Sequence, residues 1–388
     1  MRICFLHHTY PGIGGTETVT NLLADKFVKS GCDVSVLAWH RPSNELNSDI
    51  RVVYLPDIEC FNSSVNNKFI YTYLEKNNID CLINQGPFWI PTERTLKTAV
   101  ISVLHYSPSY KIDNQKEAII QCFKQKSITF THCLKSTFRY VFKDYFAKRD
   151  FNKLYNKEID AIIRNSDAFI VLCPEYIDDL RALMGAKYDN ILAIENGLVL
   201  KEHPINGKRK SILYIGRLSK WDKRVDRLLK VWKNVQPYHP DWTLEILGDG
   251  PEKKNLENMA KELGLSNYHF HGFVNIDDYL PKASILAMTS SSEGFPMVIL
   301  EAANYGVVPI AYNISHGISH LIHDNVTGLL VKPFDSKEYS DKLSKLMDDD
   351  VLRFQLGINA KNMAKSYDID LISCRWMELI NNLVKSKN

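Results

Sequence analysis

Short apolar runs alternate with longer amphipathic stretches along almost the whole chain, and that rhythm predicts parallel sheets covered by helices. In the first half the apolar runs predict strands at Arg2–His8, Asp33–His40, Arg51–Pro56, Cys81–Gln85, Ala99–Tyr106, Ala168–Cys173 and Asn190–Glu195. The intervening pattern predicts helices at Glu17–Lys29, Asn67–Lys76, Lys116–Lys126, Phe151–Asn165 and Pro174–Met184. A polar stretch, Lys201–Lys210, then breaks the alternation and reads as a linker by composition. A second series follows, with strands at Ser211–Gly216, Thr243–Leu247, Tyr268–Phe273, Ser284–Thr289, Val307–Tyr312 and Gly328–Val331. Its helices begin near Val225, Glu252, Ile276, Pro296, Ile318 and Lys337, and two more, Val351–Lys365 and Asp370–Lys385, close the chain. The expected architecture is α/β, with two doubly wound domains of similar size facing each other across a cleft.

Length agrees with two domains, since 388 residues exceed one ordinary core. With 45% hydrophobic and 24% charged residues, the composition is that of a soluble globular protein. No apolar run approaches the roughly 20 residues that span a bilayer, and Met1–His8 reads as a strand rather than a signal peptide. Eight cysteines without a CxxC pair point to neither zinc nor a disulfide framework, so a cytoplasmic location is expected. The net charge of +3 says little, but its distribution says more. Between Lys124 and Lys157 nine Lys or Arg face only Asp144 and Asp150, interleaved with Phe130, Phe138, Tyr140, Phe142, Tyr145, Phe146, Phe151 and Tyr155. Such a stretch suits either a pair of ordinary amphipathic helices or peripheral contact with an anionic membrane, at the inner face of the cell membrane. One basic stretch in a near-neutral protein gives no support to nucleic-acid binding.

The candidate chemistry gathers at predicted strand ends. Glu293 lies in the loop after the Ser284–Thr289 strand, and Glu301 stands eight residues later inside the helix expected to open at Pro296. Two carboxylates at that edge of an open α/β sheet accept hydrogen bonds from sugar and ribose hydroxyls, and a nucleotide-sugar offers both. The turn Pro11-Gly12-Ile13-Gly14-Gly15-Thr16-Glu17 joins the first strand to a helix, where glycines either let backbone N–H groups approach a phosphate or simply make a tight turn. In Gly216-Arg217-Leu218-Ser219-Lys220-Trp221-Asp222-Lys223, Arg217 and Lys223 place two cations on a diphosphate, or else form a solvated basic loop. His105 ends the Ala99–Tyr106 strand at the same kind of edge.

Taken together, these motifs, the Gly248-Asp249-Gly250-Pro251 turn and the His271-Gly272-Phe273 strand end resemble the retaining, nucleotide-sugar-dependent glycosyltransferases of glycosyltransferase family 4 (glycosyl transferases group 1). The resemblance spans nearly the whole chain, strongest from Ile212 to Phe334 and weakest from about Asp113 to Lys157. It implies the GT-B fold, two facing Rossmann-like domains with an interdomain cleft. The expected division is an acceptor-side domain, 1–200 with a returning C-terminal helix 370–388, and a nucleotide-sugar-binding domain, 201–369.

The resemblance implies roles residue by residue. Glu293 and His105 face the donor sugar as the catalytic pair, and Glu301 takes the ribose hydroxyls. Arg217 and Lys223 clamp the diphosphate opposite Gly15, while Gly294, Phe295 and Pro296 line the sugar. His271, Gly272 and Phe273 border the base. The clamp lysine falls six residues after Arg217, one later than the commonest spacing, so Lys220 is a rival for that role. His320 stands where the family often has an acidic residue.

The implied activity is that of a hexosyltransferase-type enzyme. It moves a sugar from a nucleoside-diphosphate sugar, UDP by family frequency, to a hydroxyl of a glycan or lipid-linked glycan acceptor in surface polysaccharide or lipopolysaccharide assembly. No metal or other cofactor is expected. Asp348-Asp349-Asp350 and Asp368-Ile369-Asp370 fall at predicted helix ends and read as solvated caps. Other readings of the same fold are a catalytically silent nucleotide-sugar-binding partner subunit and a nucleotide-sugar epimerase.

Overall fold

The computed structural model describes residues 1–12, 14–42, 50–86, 89, 97–110, 112, 141–146, 156–185 and 188–387. The expected helix Lys116–Lys126 and all of the basic aromatic stretch except 141–146, 156 and 157 lie outside these residues. Two compact units are present: unit 1 is Met1–Glu195 with Ser373–Asn388, and unit 2 is Asn196–Ile372.

Unit 1 holds β1 (Arg2–Thr9), β2 (Asp33–His40), β3 (Arg51–Tyr54), β4 (Cys81–Asn84), β5 (Ala99–Leu104), β6 (Ala168–Val171) and β7 (Ile191–Ala193). They form one parallel sheet in the order β3-β2-β1-β4-β5-β6-β7. The central strands are apolar on both faces, as a sheet covered by helices on each side demands, and β4, β5 and β6 are buried at every residue. The helix predicted from Asn67 starts at Ser64 because the Ser63 hydroxyl caps it, accepting from the Asn66 N–H at 3.2 Å. The closing helix Ile369–Lys387 ends within unit 1, where Lys387 Nζ lies 2.9 Å from Asp167 and Arg375 reaches the Ala193 carbonyl and Glu195.

Unit 2 repeats the plan with β8 (Ser211–Ile215), β9 (Thr243–Leu247), β10 (Tyr268–Gly272), β11 (Ile285–Met288), β12 (Val308–Tyr312) and β13 (Leu329–Val331), in the order β10-β9-β8-β11-β12-β13. One core runs from the helix Val225–Val235 through the sheet to the helix Ser336–Asp348, with Trp232, Trp242, Tyr214 and Tyr339 fully enclosed.

Three local expectations give way to the structure. Near Ile276 there is only a single 3₁₀ turn, Ile276–Asp278, since Pro281 removes the N–H a longer helix would need. The helix after Glu293 opens at Met297, with Pro296 extended in the capping position (ψ 101°), one residue later than its sequence suggests. The polar stretch 201–210 is not a free tether. Lys208 Nζ donates to the carbonyls of Tyr305 (2.7 Å) and Leu280 (3.2 Å), and Ile205 packs on Gly306, so the segment is strapped onto unit 2.

Glycine is required where two loops interlock. Gly248 and Gly250 take φ of +141° and +156°, and a Cβ on either would collide with the backbone of Gly216 or Leu218. The Gly216–Arg224 loop is thereby held against the 248–252 turn, with Leu218 N–H donating to Asp249 O at 2.8 Å.

Candidate active site

In each sheet the strand order reverses beside its first strand, between β1 and β4 in unit 1 and between β8 and β11 in unit 2. Open α/β sheets bind ligands outside the carboxyl ends of the strands at such a switch point, because the flanking loops diverge there and leave a crevice. In unit 2 the loops concerned are Gly216–Arg224 after β8 and Thr289–Pro296 after β11.

Side chains and backbone staple those two loops together. Glu293, 8% exposed, accepts at Oε1 from Lys223 Nζ and from Ser290 Oγ, each at 2.7 Å. Ser291 N–H donates to Asp222 O at 2.7 Å, and Thr289 Oγ1 donates to Arg224 O at 3.0 Å. Arg227 Nη1 lies 3.1 Å from Ser291 Oγ, and its guanidinium sits 4.1 Å from the Phe334 ring centroid. Lys223 therefore stands beside Glu293, whereas the exposed Lys220 lies over the Trp221 ring at 5.7 Å. Arg217 is exposed and pairs with Asp222 at 3.3 Å. Burial raises the Asp222 carboxyl, but the Ser219 hydroxyl, Lys223 and Arg217 outweigh it, and the group ends below the usual carboxylate range.

Glu301 is the fifth residue of the helix Met297–Asn304, just over one turn in. Burial, reinforced by Asp277 and opposed by Lys201, pushes its carboxyl up to about 7. Asp277 is itself held by Lys201 and by the Tyr305 hydroxyl at 2.8 Å. Phe295 is buried, with the His320 and Tyr367 rings at 6.3 and 6.1 Å.

On β10, His271 is engaged on both nitrogens, with Nε2 2.5 Å from Glu245 Oε2 and Nδ1 3.1 Å from the Tyr279 hydroxyl. Gly272 takes φ +73° while its carbonyl accepts from Gly248 N–H at 2.7 Å, and Phe273 is 69% exposed. This end of β10 thus presents an exposed ring beside a tethered histidine.

In unit 1, Gly15 opens the helix Gly15–Lys29, with open space where its side chain would be. The Glu17 carboxyl folds back over Gly12 and Gly14, and burial raises its pKa. His105 follows β5 directly, and burial lowers its pKa to about 4. Its Nε2 lies 2.5 Å from Gln85 Oε1.

Sequence reasoning missed Ser290, Asp222, Arg227 and Gln85. Ser290, Asp222 and Gln85 had a weak signal, a polar residue at a strand end or inside a loop already singled out, whereas Arg227 lies in the first turn of the helix that follows the Gly216–Arg224 loop. Among the described residues no group of three His, Cys, Asp or Glu side chains is placed to hold a metal ion, and no helix is long and apolar enough to cross a membrane.

Two family profiles match in succession: Glycosyltransferase Family 4 over residues 13–202 and Glycosyl transferases group 1 over residues 198–363. An uncharacterized glycosyltransferase of Haemophilus influenzae is 32% identical over 198 residues, 50% of this chain and 56% of that one. The amylovoran biosynthesis glycosyltransferase AmsD of Erwinia amylovora is 31% identical over 194 residues, 48% of this chain and 52% of AmsD. The chain thus spans about half the length of these curated relatives. A structure of S. aureus TarM, in a complex that includes alpha-GlcNAc-glycerol and UDP, has the same fold at a TM-score of 0.75, with 15% identity, 98% of this chain and 100% of that one covered. From successive profile matches covering 13–363 and the shared two-sheet architecture, the chain belongs to the family 4 glycosyltransferases of GT-B fold.

Proposed function

We propose that this chain transfers a glycosyl group from a nucleoside-diphosphate sugar, with UDP as the nucleotide, to a hydroxyl of a surface glycan, retaining the anomeric configuration. The observation that carries this reading is the Lys223–Glu293 pair, which joins the β8 and β11 loops at the switch point of unit 2. In the reaction the bond from the anomeric carbon to the diphosphate oxygen breaks, and its electron pair leaves with the diphosphate. The acceptor oxygen bonds to the same carbon on the same face, and its proton passes to a departing phosphate oxygen. Arg217 and Lys223 meet the charge that grows on the leaving group, trading their ion pairs with Asp222 and Glu293 for the diphosphate. Glu301 accepts from the ribose hydroxyls and Phe273 flanks the base. At unit 1's own strand edge, His105 is assigned to the sugar and the Gly15 turn to phosphate.

Support for a polysaccharide acceptor comes from relatives such as AmsD, named for amylovoran biosynthesis, and support for UDP from the TarM complex. A thermal-shift panel of UDP, GDP, ADP and CDP in EDTA tests the donor assignment, because a ligand that binds only the folded protein raises its melting temperature. UDP is expected to give the largest shift. Equal or absent shifts with all four would contradict the UDP assignment.

A further inference from the structure

We infer that Gln85 is a positioning residue for His105, its side-chain amide fixing the tautomer and orientation of the imidazole at the C-terminal strand edge of unit 1. The consequence for turnover rests on the transferase reading above, but the geometry does not. Gln85 is the first residue after β4 and His105 the first after the neighbouring parallel strand β5; the register pairs Asn84 with Ser102, so His105 stands two residues beyond the position opposite Gln85, on the same face of the sheet. The Gln85 backbone is anchored by its N–H to Leu6 O at 2.9 Å. Its side chain is 3% exposed, with Oε1 2.5 Å from His105 Nε2 and, among the described residues, no partner for the amide nitrogen.

That arrangement is not what packing alone would select. A methionine fills nearly the same volume and leaves no polar atom stranded, whereas a buried amide with one unmet end weakens the fold. Local conflicts of this kind are expected where a residue serves a site. Among the described residues His7 is a titratable group that feels His105, and its Nε2 is already engaged with Thr20 Oγ1 at 2.8 Å. Burial keeps both imidazoles neutral, His105 at about 4 and His7 at about 3. A neutral ring facing a carbonyl oxygen must carry its proton on Nε2. Among the described residues nothing bonds His105 Nδ1, which is then an acceptor for a substrate hydroxyl.

The test is ¹⁵N-histidine NMR of the full chain, with Gln85→Met and Gln85→Glu as variants. In the wild type His105 is expected as a fixed Nε2–H tautomer that does not titrate between about pH 5.5 and 8. In Gln85→Met the tautomer signature should average, kcat should fall about tenfold or more, and KM for the donor and the melting temperature should hold or the latter rise. Gln85→Glu should bring the His105 titration up into the measured range, which reads the contact even where the methionine variant does not fold. An Nδ1–H or averaged tautomer in the wild type overturns the inference, as does a Gln85→Met enzyme with unchanged tautomer and kcat. A wild type with the fixed tautomer but no transferase activity would sink the functional reading and leave the positioning contact standing.

Discussion

Replacing Glu293 by glutamine is expected to lower turnover by roughly 10²–10³-fold while changing nucleotide affinity less than about threefold. The asymmetry follows from what each oxygen does. Oε1 accepts from Lys223 and Ser290, and no bond to Oε2 is found among the described residues. Oε2 is therefore the oxygen available to a donor-sugar hydroxyl. A carboxylate there favours the positive charge that develops on the ring as the glycosidic bond breaks, and an amide does not. Glutamine keeps an acceptor for Ser290 and releases Lys223 toward the diphosphate, so binding of the nucleotide alone survives. Lys223 is 27% exposed and reaches water, which limits the penalty of losing its counter-ion. The measurement is kcat alongside nucleotide Kd by calorimetry, with melting temperature as a control. Equal losses in kcat and Kd would make Glu293 a binding residue, and no loss in either would remove it from the site.

The second large effect belongs to Glu301, and it depends on pH. The folded protein keeps the Glu301 proton up to about pH 7, whereas the unfolded chain releases it near 4.5. Between those values the native state binds more protons, so its contribution to stability shrinks as pH rises and is gone above about 7. The gap corresponds to roughly 3 kcal/mol at most. Glu301→Gln is therefore expected to be more stable than the wild type at pH 8 and no more stable at pH 5. On the proposed reading binding is expected to move the opposite way, since ribose hydroxyls donating to the carboxylate would favour its charged form. Wild-type affinity should rise on the order of tenfold from pH 5.5 to 7.5 beyond any rise in Glu301→Gln. That difference matters because a terminal phosphate also titrates near pH 6. At pH 8 the variant should bind roughly 10–100-fold more weakly, the worth of a hydrogen bond to a charged group. Parallel pH curves for the two proteins would mean that Glu301 does not touch the nucleotide.

Much of this was legible before any coordinates. Alternation of apolar runs placed all thirteen strands of the described residues to within about two residues, because strands buried on both faces leave an unambiguous apolar signature. The candidate residues were visible because glycine, glutamate and lysine cluster just past those runs. Less legible was anything decided by contacts distant in sequence. Lys208 looks like linker chemistry in one dimension, and only the carbonyls of Leu280 and Tyr305 make it a strut. Spacing alone left Lys220 and Lys223 as rivals, whereas the bond from Lys223 to Glu293 crosses seventy positions. The glycines of Gly248-Asp249-Gly250-Pro251 were plain, but their reason, the backbone of the 216–224 loop pressed against them, was not. Gln85 carried no motif, since its meaning depends on the neighbour that a parallel strand supplies.

Proton NMR of a reaction containing a UDP-sugar and a panel of oligosaccharide acceptors tests the central claim most directly. The account predicts release of UDP together with a new glycosidic anomeric signal of the same configuration as the donor. A product of the opposite anomer would contradict retention. No release of UDP above the uncatalysed rate, with any donor or acceptor, would contradict the transfer itself.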